Sequence, residues 1–304
     1  MAQKVIQIST LNDDPYDFAL LFEIWSEVND YFEDIRFDLS LCRFLRPNAV
    51  AFLGGLARLI ESRLGKVEFD WNSLRDQRVM TNICQNGFAG NFGYPTSSWS
   101  GNSIPYREDK TRDVGGIMDY LEQYWLSRGW VQVSKRLRDA IVGHMWEIYN
   151  NAFEHSGSKI GVFTCGQHFP GRYGNEETLA LSVIDFGQGI PAKIRGFFRQ
   201  HADEELVAKL TGASCLRWAF QAGNTTKVGE PAGSGLDLLK EFVRLNQGKL
   251  EIYSNDGYAI VDKDGERYEN RDLAFEGTVV HITLRCDENL YQFRDEADYP
   301  ITGE

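Results

Sequence analysis

The sequence predicts an α+β protein, with a small α/β unit leading into a larger unit whose helices are segregated against a sheet. Three observations carry that prediction. Short apolar runs alternate with helical patterns through residues 3–92. A turn-rich stretch, AGNFGYPTSSWSGNSIPYREDK from Ala89 to Lys110, then interrupts every period. Beyond it two long helical patterns come first and most of the strand-like runs come last, the order of an α+β sandwich.

In the first unit, Lys4–Ile8 reads as a strand, and Pro15–Asn29 as a helix with Phe18, Leu21, Phe22 and Trp25 on one side. Ile35–Leu39 is a strand again. Asn48–Leu64 places Val50, Leu53, Leu56, Ala57, Ile60 and Leu64 at helical spacing. Val67–Trp71 reads as a strand and Leu74–Ile83 as a helix. In the second unit Val114–Trp125 and about Val133 to Glu154 are helical. Ile160–Thr164 and Leu179–Ile184 are strands joined by a Gly-rich connection. A helix from about Ser234 to Leu245 leads into strands Lys249–Ser254, Tyr258–Val261 and Thr278–Leu284, making a mixed or antiparallel sheet. The expected division is 1–92, a linker at 93–113, a second domain at 114–288 and an acidic tail at 289–304.

Composition narrows the function classes. Of 304 residues 42% are hydrophobic, enough for real cores. The 32 basic against 44 acidic residues give −12, which argues against a broad nucleic-acid footprint or an anionic membrane surface. The five cysteines are scattered, odd in number and never in a CxxC pair, so neither a disulfide framework nor a zinc site is expected and a reducing, cytoplasmic setting fits. No stretch approaches the roughly 18 apolar residues of a membrane span.

Three segments carry candidate chemistry. Glu147, Asn151 and His155 fall at i, i+4 and i+8 of the long helix and share a face. A carboxylate, a carboxamide and an imidazole in a row can orient a water or hydroxyl, and one Asn oxygen with triphosphate oxygens suits Mg²⁺. Read alone, the row is also what a solvated helix face looks like. The second segment, Leu181-Ser-Val-Ile-Asp185-Phe-Gly187-Gln-Gly189-Ile190, is a strand ending in Asp-x-Gly-x-Gly. Its carboxylate can accept from an adenine amino group, and the glycines let backbone approach a flat base. A dinucleotide fingerprint or a plain tight turn are the rival readings; the former lacks the acidic residue expected about twenty positions on. The third is Thr225-Thr226-Lys227, then Gly233-Ser234-Gly235-Leu236 opening a helix. Free N–H groups there make an anion site, and Lys227 or Thr226 can add donors to a terminal phosphate. A glycine-capped helix start is the simpler alternative.

In this order the segments resemble the GHKL superfamily, the ATP-binding fold of gyrase B, heat-shock chaperone, mismatch-repair and histidine-kinase ATPase domains. Glu147…Asn151-Ala is similar to the N box, Asp185-x-Gly187-x-Gly189 to the adenine box and Gly233-Ser-Gly235-Leu236 to the second glycine box. Thr226-Lys227 looks like lid and hinge, and Glu276-Gly-Thr278 looks like the start of a closing strand. The match spans roughly residues 135–285.

That resemblance implies a Bergerat-type sandwich with a mixed sheet, and ATP and Mg²⁺ as ligands. Asn151 would hold the metal, Asp185 the adenine, Gly187 and Gly189 the base pocket, and Gly233, Ser234 and Gly235 the phosphates. Thr278 would bond near the adenine or a phosphate, and the segment between Ile190 and Gly233 would be a lid. Glu147 would be the general base for a water or a partner's hydroxyl, as in anti-sigma-factor serine kinases. A sensor histidine kinase is not expected, since no histidine precedes His144; the remaining histidines read as packing or surface residues.

The first unit resembles a STAS domain through Ile35-Arg-Phe-Asp-Leu-Ser40, Phe44–Ala51 and Asn86-Gly-Phe88. Arg46-Pro47-Asn48 stands where such antagonists place a phosphorylated Asp-Ser, so a docking role for a protein partner is expected rather than a phosphoswitch. The resemblance also allows a homodimer. The expected function is an ATP-dependent regulator that hydrolyses ATP or phosphorylates a partner Ser/Thr; the alternative is an ATP-occupancy switch without turnover.

Overall fold

The computed structural model describes residues 3–99, 101–171, 176–201, 204–221, 223–224 and 236–297. The chain begins with β1 (Lys4–Gln7), α1 (Pro15–Glu27), β2 (Ile35–Asp38), α2 (Pro47–Ser62) and β3 (Val67–Asp70). The short helices α3 (Gln77–Gln85) and α4 (Phe88–Asn91) follow, then β4 (Ser103–Asp109). Next, α5 (Val114–Tyr120) continues as a π-helical turn over Leu121–Leu126 and is followed by α6 (Lys135–His155), β5 (Val162–Phe169) and β6 (Thr178–Asp185). Helices α7 (Ile190–His201), α8 (Glu204–Ala208), α9 (Gly212–Ala219) and α10 (Asp237–Leu245) precede β7 (Lys249–Asp262), β8 (Gly265–Arg285) and α11 (Arg294–Ala297).

Strands β1-β2-β3 form a parallel sheet in that order, and β4-β5-β6-β8-β7 a second sheet. The fold is α+β as expected, but the larger sheet is antiparallel throughout rather than mixed. The reason lies in its connections. The turn at residues 263–264 folds β7 directly onto β8, and hairpin-type connections impose antiparallel pairing.

The parallel sheet alternates in burial. Ile6, Ile35, Phe37 and Phe69 face inward, whereas Val5, Gln7, Arg36 and Glu68 face out. Helices α1 and α2 cover its inner face and are themselves covered by the five-stranded sheet. One apolar cluster therefore joins residues of the first unit to Tyr106, Phe163, Cys165, Ile184, Phe186, Tyr253 and Phe275. Phe22 stacks on Phe275 at 5.0 Å and Phe18 on Tyr253 at 4.4 Å. Because α2 lies between two sheets, it is buried on all sides from Pro47 to Ala57. It comes so close that a Cβ on Gly55 would lie 2.2 Å from the Phe186 ring, and one on Gly54 2.1 Å from the Tyr106 hydroxyl.

Polar contacts reinforce this junction. His281 of β8 is fully buried, accepts or donates at 2.7 Å to Ser182, and lies 3.5 Å from Asp13, which also pairs with Arg46 at 2.9 Å. Burial alone would raise the Asp13 carboxyl, but the His281 contact, then Arg46 and Lys249, bring it down to about 2. Asn48, in the first turn of α2, is buried and donates to Asn12 O at 2.8 Å, a structural task.

The segments expected as a linker and an acidic tail both take part in pairing. The 93–113 linker contains β4, the edge strand of the large sheet, with Pro105 inside a break in its pairing with β5. The described part of the acidic tail returns to α6. Tyr291 bridges Val133, Ser134 N donates to Tyr291 O at 2.8 Å, and Ser134 Oγ donates to Glu296 at 2.8 Å while capping Leu137 N. No described helix is long and apolar enough to cross a membrane.

Candidate functional site

The second face of the large sheet packs on α6, α10 and the α5 region. Leu179, Leu181 and Val183 of β6 point that way, with Val280, Ile282 and Leu284 of β8 and Leu250 and Ile252 of β7. Val183, Val280 and Ile252 are paired neighbours and form the last apolar row. The next row on that face is polar: Asp185 pairs with Thr278, and Thr278 with Ser254. Sequence alternation thus carries a carboxylate and two hydroxyls to the rim of the helix-covered face.

Asp185 is 5% exposed. Gly187 N donates to its Oδ1 at 3.0 Å, and the nearby Ser156 and Thr278 hydroxyls favour the charged form of the same carboxylate. Desolvation nevertheless outweighs these donors and pushes its pKa up to about 7. An ionised carboxylate offers about four acceptor positions, and Gly187 N fills one of them. One further donor, such as an exocyclic amino group, would relieve a charge that the fold leaves under-compensated.

The surrounding network holds the rim rigid. Ser254 Oγ accepts from Ile190 N at 2.8 Å, donates to Gly277 O at 2.9 Å and lies 3.0 Å from Thr278 Oγ1. Asn255, with φ +48°, accepts from Ala192 N and donates to Gln188 O, both at 3.0 Å. At Gly187 a Cβ would stand 2.3 Å from Ser156 O, and Gly189 has φ +79° with Asn255 at 2.6 Å from a Cβ. Both glycines are thus required by the close approach of the 185–189 turn to the end of α6 and to β7.

The structure brings Asp185, Gly187, Gly189 and Thr278 together. It also shows why the end of α6 belongs there, since Ser156 O accepts from Gln188 N at 2.7 Å. Glu147 and Asn151 are placed otherwise. The buried stripe of α6 runs through Leu137, Ile141, Met145, Tyr149 and Ala152, and Tyr149 OH meets Thr164 at 2.7 Å. Glu147 and Asn151 lie off that stripe, exposed, and neither side chain joins the Asp185 network. On the same helix, His144 Nδ1 and Asn150 Oδ1 are buried without partners.

Leu236 caps α10 and is half-buried against the helix layer. Thr226, Lys227, Gly233, Ser234 and Gly235 lie outside the described residues. Of the expected lid, the described part is helical and pinned. Arg195 bonds Asp256 at 2.8 Å, Gly212 N donates to the same carboxylate at 3.0 Å, and Ala213 N donates to Asn270 at 2.9 Å. Sequence reasoning missed Ser156, Ser254, Asn255 and Asp256. Of these, Asn255-Asp256-Gly257 was detectable as a turn signal inside a strand pattern.

No protein-family model matches the chain, and no curated protein matches it.

Proposed function

We propose that the protein is an Mg-ATP-binding regulator of GHKL type that hydrolyses ATP or transfers its terminal phosphate to a Ser or Thr of a partner. The observation that carries this reading is Asp185, a buried carboxylate with a free acceptor position, at a strand end and flanked by glycines. A nucleobase amino group is the neutral donor that such a group suits. The residues fit Mg²⁺ in one respect, an exposed Asn151 amide oxygen uncommitted to the Asp185 network. Asn151 would hold the ion, whose chemistry is to neutralise charge on transferring phosphoryl oxygens. Gly233, Ser234 and Gly235, just ahead of α10, would present backbone N–H groups to phosphate. Glu147 would accept the proton of the attacking hydroxyl.

In this reading the STAS-like unit selects the partner through the outer face of its parallel sheet, where Gln7, Arg36 and Glu68 are accessible, because its helices are buried against the large sheet. A second reading, occupancy of the site without turnover, is favoured by the exposure of Glu147 away from the Asp185 network.

Incubation with γ-labelled ATP and Mg²⁺, with and without candidate partner proteins, tests the proposal. Label on a partner's Ser or Thr, lost in Glu147→Ala, is the expected result for a kinase, and free phosphate lost in the same variant for an ATPase. Binding without either product supports the occupancy reading, and no binding overturns both.

A further inference from the structure

We propose that His168, Glu177 and Cys286 form a divalent-metal site, and that zinc is the ion it takes. Among the described residues this is the one group of three ligand-type side chains whose donor atoms converge, all within 4.8 Å of one another. Thiolate, imidazole and carboxylate together are zinc ligands, whereas magnesium prefers oxygen alone. The site is independent of the nucleotide reading. β6 runs from Thr178 to Asp185, so Glu177 stands at the opposite end of the sheet from the polar rim.

The three residues come from three neighbouring strands. His168 is near the end of β5, Glu177 immediately precedes β6, and Cys286 immediately follows β8. Their backbones are fixed by hydrogen bonds. Cys286 N donates to Glu177 O at 2.8 Å, and His168 exchanges bonds with Asn102 at 2.7 and 2.9 Å. Trp130 stacks on the His168 ring at 4.8 Å and 8°, which holds the imidazole plane. Tetrahedral zinc with bonds of about 2.0–2.3 Å spaces its ligand atoms about 3.3–3.8 Å apart. Side-chain movements of about 1 Å therefore complete the site, one of them opening the 2.6 Å contact between His168 Nε2 and Glu177 Oε1.

On binding, the Cys286 thiol proton leaves to solvent, and His168 coordinates through the Nε2 lone pair with its ring proton on Nδ1. Three protein ligands leave a fourth position for water or an external ligand. The other four cysteines are buried, so Cys286 is the thiol a metal can reach. The ion would clip the ends of β5, β6 and β8 and anchor the segment that returns to Val133.

The test is Co²⁺ titration of tag-free, metal-stripped protein, followed by displacement with Zn²⁺. The expected result is one Co²⁺ per chain, with tetrahedral d–d bands and a thiolate-to-cobalt charge-transfer band that zinc removes. Cys286→Ser should abolish the charge-transfer band. Glu177→Gln, a change at a side chain 44% exposed, should weaken binding at least about tenfold with unchanged far-UV dichroism. Absence of the band in the wild-type protein, its persistence in Cys286→Ser, or unchanged affinity in Glu177→Gln would each overturn the site; should Cys286→Ser fail to fold, the Glu177→Gln affinity decides.

Discussion

Replacing Asp185 by Asn should stabilise the ligand-free protein at neutral and alkaline pH while removing nucleotide binding. Asp185 is buried and its pKa is pushed up to about 7 by desolvation. Moving an aspartate from about 4 in the unfolded chain to about 7 in the fold corresponds to roughly 4 kcal/mol favouring the neutral form. Because the folded value is the higher one, that stabilisation is fully present below about pH 4 and is lost as pH rises through about 7. Asparagine keeps the shape and stays neutral. Its Oδ1 can accept from Gly187 N, and the Ser156 and Thr278 hydroxyls can turn to accept from Nδ2. The advantage of Asp185→Asn over wild type should therefore be near zero at pH 4 and grow to a few kcal/mol at pH 8. Urea denaturation at a series of pH values measures it. A variant destabilised equally at pH 5 and pH 8 would show that the carboxylate is a fully satisfied structural acceptor, and the reasoning would be refuted.

Other outcomes follow from the same structure. Gly55→Ala sets a Cβ 2.2 Å from the Phe186 ring, so overpacking of about 1–3 kcal/mol should exceed the helix-propensity gain of about 1 kcal/mol, read as a lower urea midpoint. Asp13→Asn should cost roughly 2 kcal/mol at pH 6, because the folded pKa is depressed to about 2. That stability is present above about pH 4 and lost as pH falls toward 2, so the gap to wild type should close on acidification; a gap independent of pH would contradict the assignment. Ser156→Ala removes a hydroxyl that favours the charged form of Asp185. It should weaken nucleotide binding by about tenfold if that hydroxyl orients the carboxylate, as calorimetry would show.

Much of the fold was legible because its longer helices obey one period. The expected Pro15–Asn29 helix and the helix from about Val133 to Glu154 differ from α1 and α6 by at most two residues at either end. The β4 strand was not legible because Pro105 and its flanking turn residues read as loop, and proline is tolerated where an edge strand's pairing breaks. The first half of β8, Gly265–Glu276, is mostly polar and gives no apolar alternation to detect. The shared core was legible in part. The run Ala49-Val-Ala-Phe-Leu-Gly-Gly-Leu-Ala57 is apolar around the whole helix, which a stripe reading understates.

Of the candidate site, Asp185, Gly187, Gly189 and Thr278 were found from motif order. Their partners Ser156, Ser254 and Asn255 come from three separate elements, and only the folded register brings them into one network. Periodicity put Glu147 and Asn151 on one helical face but could not say that this face turns away from the sheet. That direction is set by Met145, Tyr149 and Ala152 packing inward.

The most direct test of nucleotide recognition is a calorimetric titration of the wild-type and Asp185→Asn proteins with Mg-ATP, with Mg-GTP as the comparison. One-to-one binding of ATP to the wild-type protein, weak binding of GTP, and loss of ATP binding in the variant are the predicted results. ATP binding that survives unchanged in a folded Asp185→Asn protein, or no binding to the wild-type protein, would contradict the proposed site.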